Sequence, residues 1–135
     1  MYGRTTFFVD RSLGRRIVPL LLREAGWSIE IHDEVFVGRA ESVSDEEWLT
    51  LAGGEGWAVL MKDTRIRYRS SERQALIAAR VHAFCLTRGD LAGPQAASVF
   101  LRHQPYIEAA VRRPTPSLHL LSQNEARDID DIRER

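Results

Sequence analysis

The chain carries one cysteine, one lysine, no excess of charge and no long apolar run. A single thiol, Cys85, excludes an intramolecular disulfide, and its place in the run Val81-His82-Ala83-Phe84-Cys85-Leu86 reads it as a small core residue. No stretch of about eighteen apolar residues is present, so no transmembrane helix and no membrane partner are expected. The formal net charge is zero, which removes any general attraction to nucleic acid or lipid headgroups. No two histidines are spaced like zinc ligands: His82 and His119 fall inside apolar runs and read as packed or edge residues, while His32 and His103 stand alone. No glycine-rich phosphate loop precedes a helix; Gly53-Gly54-Glu55-Gly56 follows one and reads as a turn. The start, Met1-Tyr2-Gly3-Arg4, lacks a signal-peptide pattern, so a cytoplasmic protein is expected.

What is present alternates. At 135 residues the chain is the size of one domain with a real core. Thr5-Thr6-Phe7-Phe8-Val9 is short, apolar and β-rich, as a buried parallel strand should be. Leu13, Ile17, Leu20, Leu21 and Ala25 recur at helical spacing up to Gly26, with Pro19 demanding either a late start near Val18 or a bend. Residues 27–31 alternate as a second strand, and 32–43 read as a loop. Ser44 with Glu47 forms a capping box for a helix running to about Ala52, which Gly53-Gly54 is expected to end. Residues 57–61 give a third strand, 65–69 are ambiguous, and Ser70–Ala79 read as a helix. Residues 81–86 give a fourth strand. A helix from Pro94 to about Arg112, with Pro105 as a candidate break, leads to a fifth strand at 117–121. The expectation is an α/β three-layer sandwich with a mostly parallel sheet of about five strands, spanning residues 1–121, and a charged, frayed tail at 122–135.

In such a fold, strand carboxyl ends and the amino ends of the following helices share one sheet edge, where open α/β folds place their sites. Asp10 ends the first strand, Asp45 opens a helix, and Asp63 follows the third strand after Lys62. Carboxylates gathered there suit a divalent cation such as Mg²⁺ or Mn²⁺, which prefers oxygen ligands and supports phosphodiester chemistry. Asp45 has a competing role, because acids in a first helical turn complement the helix dipole. Asp90, after the fourth strand, is the candidate fourth ligand, against its reading as a turn aspartate beside Gly89. Glu46 and Glu72 stand behind it.

Around Asp63 lies a basic group: Lys62, Arg65, Arg67, Arg69 and Arg73, with Tyr68 among them. Arginines there can hold the flanking phosphates of a nucleic acid, and a tyrosine can stack on an unpaired base. The plainer reading is a solvated charged edge. All nineteen basic residues except Lys62 are arginine, which fits either GC-rich coding or a preference for phosphate geometry.

Four segments in order resemble the PIN domain, in its short PIN-like branch related to VapC toxins. They are Phe8-Val9-Asp10-Arg11-Ser12-Leu13, Leu22-Arg23-Glu24-Ala25-Gly26-Trp27, Ser44-Asp45-Glu46-Glu47-Trp48 and Val59-Leu60-Met61-Lys62-Asp63. Arg88-Gly89-Asp90-Leu91 with Gln95 is similar to the late segment of such proteins. The resemblance implies a parallel sheet of about five strands and a carboxylate-bound Mg²⁺ or Mn²⁺. It implies cleavage of single-stranded RNA, with Asp10, Asp45 and Asp63 as catalytic acids, and an antitoxin protein as partner. Homodimers are common among such proteins. Two departures stand out: Met61 where related sequences often have threonine, and Arg65 where some have a further acid. They motivate an alternative, a PIN-like RNA- or protein-binding module without catalysis. A receiver or nucleotide-binding domain fits less well, since neither a phosphate loop nor an acceptor-lysine arrangement is evident.

Overall fold

The computed structural model describes residues 5–62 and 70–129. Among these residues, six strands form one sheet in the order β2-β1-β3-β4-β5-β6: β1 Thr6–Val9, β2 Ser28–Ile31, β3 Ala58–Lys62, β4 His82–Leu86, β5 Ser117–Leu121 and β6 Ala126–Asp128. The first five are parallel, and β6 pairs antiparallel to β5. The described α-helices are α1 Ile17–Glu24, α2 His32–Val35, α3 Asp45–Glu55, α4 Ser70–Ala79, α5 Gly93–Arg102 and α6 Gln104–Ala110.

The central strands are buried on both faces, so they read as continuous apolar runs, and alternate residues feed two cores. Phe7, Val9, Leu60, Phe84 and Leu86 pack with Val18 and Leu22 of α1 and with Phe100 and Ile107 of α5 and α6. Phe8, Val59, Ala83, Cys85, Leu118 and Leu120 pack on the other side with Trp48, Leu49 and Ala52 of α3 and Leu76 of α4. This is the expected three-layer α/β sandwich. Cys85 is fully buried, as its apolar setting predicts.

Four details refine or correct the reading of the sequence. Of the two alternatives that Pro19 leaves, a late start near Val18 or a bend, the late start is found: α1 begins at Ile17, after a separate 3₁₀ turn at Arg11–Leu13, which puts Pro19 in the first turn, where no backbone N–H is needed. Gly53-Gly54 does not end α3. The helix passes through both and stops at Gly56, whose φ of 75° takes the left-handed cap conformation. Gly53 instead marks a close approach: a Cβ there would lie 2.1 Å from the Ala79 carbonyl oxygen at the end of α4. Finally, the sheet continues past residue 121. Residues 122–129 turn back through β6, and the backbone N–H of Ile129 donates to the Leu118 carbonyl at 2.8 Å. The segment 32–43 is likewise more ordered than a loop, containing α2 and a 3₁₀ turn at Ala40–Ser42.

Among the described residues, no helix is long and apolar enough to cross a membrane.

Candidate functional site

At the carboxyl end of β1, the Asp10 backbone N–H donates to the Leu60 carbonyl of β3 at 3.0 Å, so the chain leaves the sheet only after Asp10 is fixed. Its carboxylate then caps the 3₁₀ turn. Oδ2 accepts from the Ser12 backbone N–H at 3.2 Å and from the Ser12 hydroxyl at 2.6 Å. The same hydroxyl oxygen accepts from the Lys62 backbone N–H at 3.2 Å. Ser12 therefore ties the end of β3 to the acid at the end of β1. Oδ1 of Asp10 has no hydrogen-bond partner among the described residues.

Asp45 arrives from the first turn of α3. The N-cap is Ser44, whose hydroxyl accepts from the Glu47 N–H at 3.1 Å. Asp45 is thus relieved of capping, and its Oδ1 accepts from the Trp48 indole Nε1 at 3.0 Å. Trp48 is anchored by stacking on Phe8, with ring centroids 5.2 Å apart, so a buried ring aims an exposed carboxylate. Trp48 is a core residue, as the sequence suggests, with a second task that only its geometry reveals.

Asp10 and Asp45 open into one cleft of 140 Å³, together with Ser12, Met61, Lys62 and Glu72; Trp48, Leu49 and Leu76 supply apolar wall. Glu72 comes from the first turn of α4. Reading the sequence ranks it, with Glu46, behind Asp90. Asp90 lies elsewhere. It is exposed, lines a separate cleft beyond the ends of β4 and β5, and is gripped by Arg88 through Nε at 3.1 Å and Nη2 at 2.9 Å. The hydrogen bond from Arg88 holds its carboxyl below the usual range. Glu46 is exposed on α3 and does not line the Asp10 cleft.

Asp63 follows Lys62 directly in the chain but lies outside the described residues, as do Arg65, Arg67, Tyr68 and Arg69. Of the basic group, Lys62 lines the cleft and Arg73 sits on α4 beside Glu72. Among the described residues, no three carboxylate, imidazole or thiolate groups converge closely enough to ligate an ion. The donor chemistry nonetheless suits a hard cation. Asp10, Asp45 and Glu72 offer carboxylate oxygens to one cleft, with neither histidine nor cysteine lining it.

Ser12 and Trp48 are the residues that reading the sequence misses. An Asp-x-Ser pair right after an apolar strand is a signal for the first, since aspartate at such a turn bonds the backbone two residues on.

The comparisons with known proteins agree with this fold. A model of the family described as "PIN like domain" matches residues 5–88, which covers β1 to β4 and the whole cleft. A relative from Mycobacterium tuberculosis (strain ATCC 25618 / H37Rv), named "Putative ribonuclease VapC45", is 35% identical over 113 residues, 83% of this chain and 82% of the relative. No solved structure matches. With the expected acid at the end of the first strand, a second opening the helix that faces it, and a family match over most of the sheet, this chain belongs to the PIN-like domain family.

Proposed function

We propose that the chain is a metal-dependent ribonuclease that hydrolyses RNA phosphodiester bonds through a carboxylate-bound Mg²⁺ or Mn²⁺, and that it is the toxin of a type II toxin–antitoxin pair. The observation that carries this reading is the pair Asp10 and Asp45, each fixed by a dedicated donor and both opening into one cleft at the sheet edge. The name of the mycobacterial relative, which calls it a ribonuclease, points the same way.

Asp10, Asp45 and Asp63 would hold the ion, with Glu72 in the fourth position in preference to Asp90, which Arg88 already engages. A bound ion supplies polarisation of the phosphoryl oxygen and a water of lowered pKa. The protein supplies the rest. Ser12 and the Trp48 indole keep two carboxylates in one orientation, so little reorganisation is needed when substrate arrives. Lys62 sets a positive charge on the cleft wall beside the acids, where it can meet a phosphate oxygen. The apolar wall of Trp48, Leu49 and Leu76 limits water and strengthens these interactions. Arg65, Arg67, Arg69 and Arg73 are assigned to the flanking phosphates on sequence grounds. The antitoxin is expected to cover the acidic edge or present an arginine to it; a homodimer and a cytoplasmic location complete the proposal.

The test is cleavage of single-stranded RNA in Mg²⁺ or Mn²⁺. Asp10→Asn abolishes it while circular dichroism and the thermal midpoint show an intact fold; undiminished cleavage by a rigorously purified variant overturns the reading. Met61 and Arg65, where related sequences often carry threonine and some a further acid, favour a second reading as a binding module without catalysis. That reading predicts RNA or protein binding by the parent chain with no Asp10-dependent cleavage.

A further inference from the structure

Beside the acidic cleft, on the other side of β1, lies a second one. Val9 is in register with Ile31, so the next residues, Asp10 and His32, leave adjacent strands side by side. Strands stand about 4.8 Å apart, which is within the reach of one nucleotide step along an RNA strand. The cleft has a volume of 250 Å³ and is lined by Arg11, Gly14, Arg15, His32 and Asp33 above the ends of β1 and β2.

Its charges are incompletely matched. Arg11 follows Asp10 on the 3₁₀ turn, and its Nη1 donates to the Ala40 carbonyl at 3.3 Å, which leaves Nε turned toward Asp33 at 3.9 Å. Arg15 reaches Asp33 through Nη1 at 3.5 Å and is otherwise open to solvent. Two guanidinium groups therefore share one carboxylate, and both at long range, where a charge-assisted bond would close to about 2.7–2.9 Å. His32, with 2% of its surface exposed, also approaches Asp33. Its Nδ1 is 3.8 Å from Asp33 Oδ1 and has no hydrogen-bond partner among the described residues. Buried polar atoms are normally paired, so an orphaned imidazole nitrogen beside an incompletely bonded carboxylate marks a site with a second arrangement.

We propose that Arg11 and Arg15 bind a backbone phosphate of the RNA next to the scissile one, and that Asp33 is a carboxylate place-holder displaced onto His32 when the phosphate arrives. The proposal rests on the ribonuclease reading of the neighbouring cleft. A phosphate offers two guanidinium groups more acceptor oxygens and more charge than one carboxylate. The displaced carboxylate moves about 1 Å to accept from the Nδ1–H of a neutral His32, which satisfies the orphaned nitrogen. The bound state thus pairs every group that the free state leaves short. The burial that orphans His32 also depresses its pKa, so the imidazole stays neutral and Asp33 is not held on it by a full charge before substrate binds.

The experiment uses the full chain and a 12-nucleotide single-stranded RNA, with binding followed by fluorescence anisotropy in EDTA so that no hydrolysis intervenes. Arg15→Gln, a change at a largely solvated side chain, should weaken binding about five- to tenfold and reduce the slope of log K against log salt by about 0.7. Asp33→Asn should act in the opposite direction and tighten binding at least about twofold, because the competing charge is gone. Adding RNA should shift the His32 imidazole nitrogen signal in the parent but not in Asp33→Asn. A purely structural role for Asp33 predicts weaker binding in both variants, and that result overturns the proposal. So does RNA affinity unchanged by Arg15→Gln. The two readings fail separately. Asp10-dependent cleavage with unaltered binding by both variants removes the phosphate site alone. Binding that follows the predicted signs without any cleavage keeps the phosphate site and removes the nuclease.

Discussion

Two histidines at opposite ends of the sheet are equally buried and differently finished. His119, with 0% exposure, lies on β5 and has both ring nitrogens engaged: Nδ1 pairs with the Tyr106 hydroxyl at 2.8 Å and Nε2 with the Ser117 hydroxyl at 2.8 Å. Ser117 continues the chain to His82 Nδ1 at 2.5 Å, and Phe84 stacks on the His119 ring at 4.7 Å. His32, with 2% exposure, stands where β2 ends and packs against Phe8 and Phe36, yet its Nδ1 is unpaired. Burial does not separate the two; partners do. The closed network at the amino-terminal end of the sheet has the character of structure, since a fully satisfied buried polar chain rigidifies its core. The open one lies on the carboxyl edge, one strand from Asp10, where incomplete pairing leaves room for a ligand.

The sharpest way to test that contrast is to damage the closed network first. His119→Leu removes the two hydrogen bonds that link Tyr106 and Ser117 through the buried ring, and should cost about 3 kcal/mol of unfolding free energy in urea. A loss below about 1 kcal/mol would mean the network is incidental.

At the open edge the effect should fall on activity instead. Ser12→Ala removes the shorter of the two donors that orient Asp10 and should lower RNA cleavage about 10–100-fold, with stability changed by about 1 kcal/mol. Equal losses in cleavage and in stability would make Ser12 structural.

His32→Phe should be nearly neutral at pH 8 and informative in acid. Burial lowers the His32 pKa below its ordinary 6.5. As pH falls through that value the unfolded chain takes up a proton that the native chain refuses, so the parent loses stability toward acid and His32→Phe loses less. Parallel stability–pH curves for the two proteins would show that His32 carries no such penalty.

The smallest effect belongs to Asp90. It is exposed and paired to Arg88, so Asp90→Asn should leave the thermal midpoint essentially unchanged and cleavage within about twofold. A large loss of cleavage would restore it as a metal ligand in place of Glu72.

Much of the layout was legible because each strand is a short apolar run between polar residues, and parallel strands buried on both faces must read that way. The placement of Asp10 and Asp45 on one edge followed from alternation alone. What the sequence concealed depends on contacts between distant residues. Gly53 looks like a stop signal and is a close approach to Ala79. Residues 122–129 are too polar to advertise a strand, and β6 is defined by its antiparallel pairing along β5. Glu72 against Asp90 turns on where α4 and the β4–α5 turn come to rest, and Trp48 looks like core because it is core. His32 reads as unremarkable because an unpaired nitrogen has no signature in a sequence.

Calorimetric titration of the full chain with Mn²⁺ asks whether the acids of the carboxyl edge form a metal site. Saturable binding by the parent that is lost in Asp10→Asn and weakened in Glu72→Gln is the predicted result. No binding, or binding indifferent to Asp10, would contradict it.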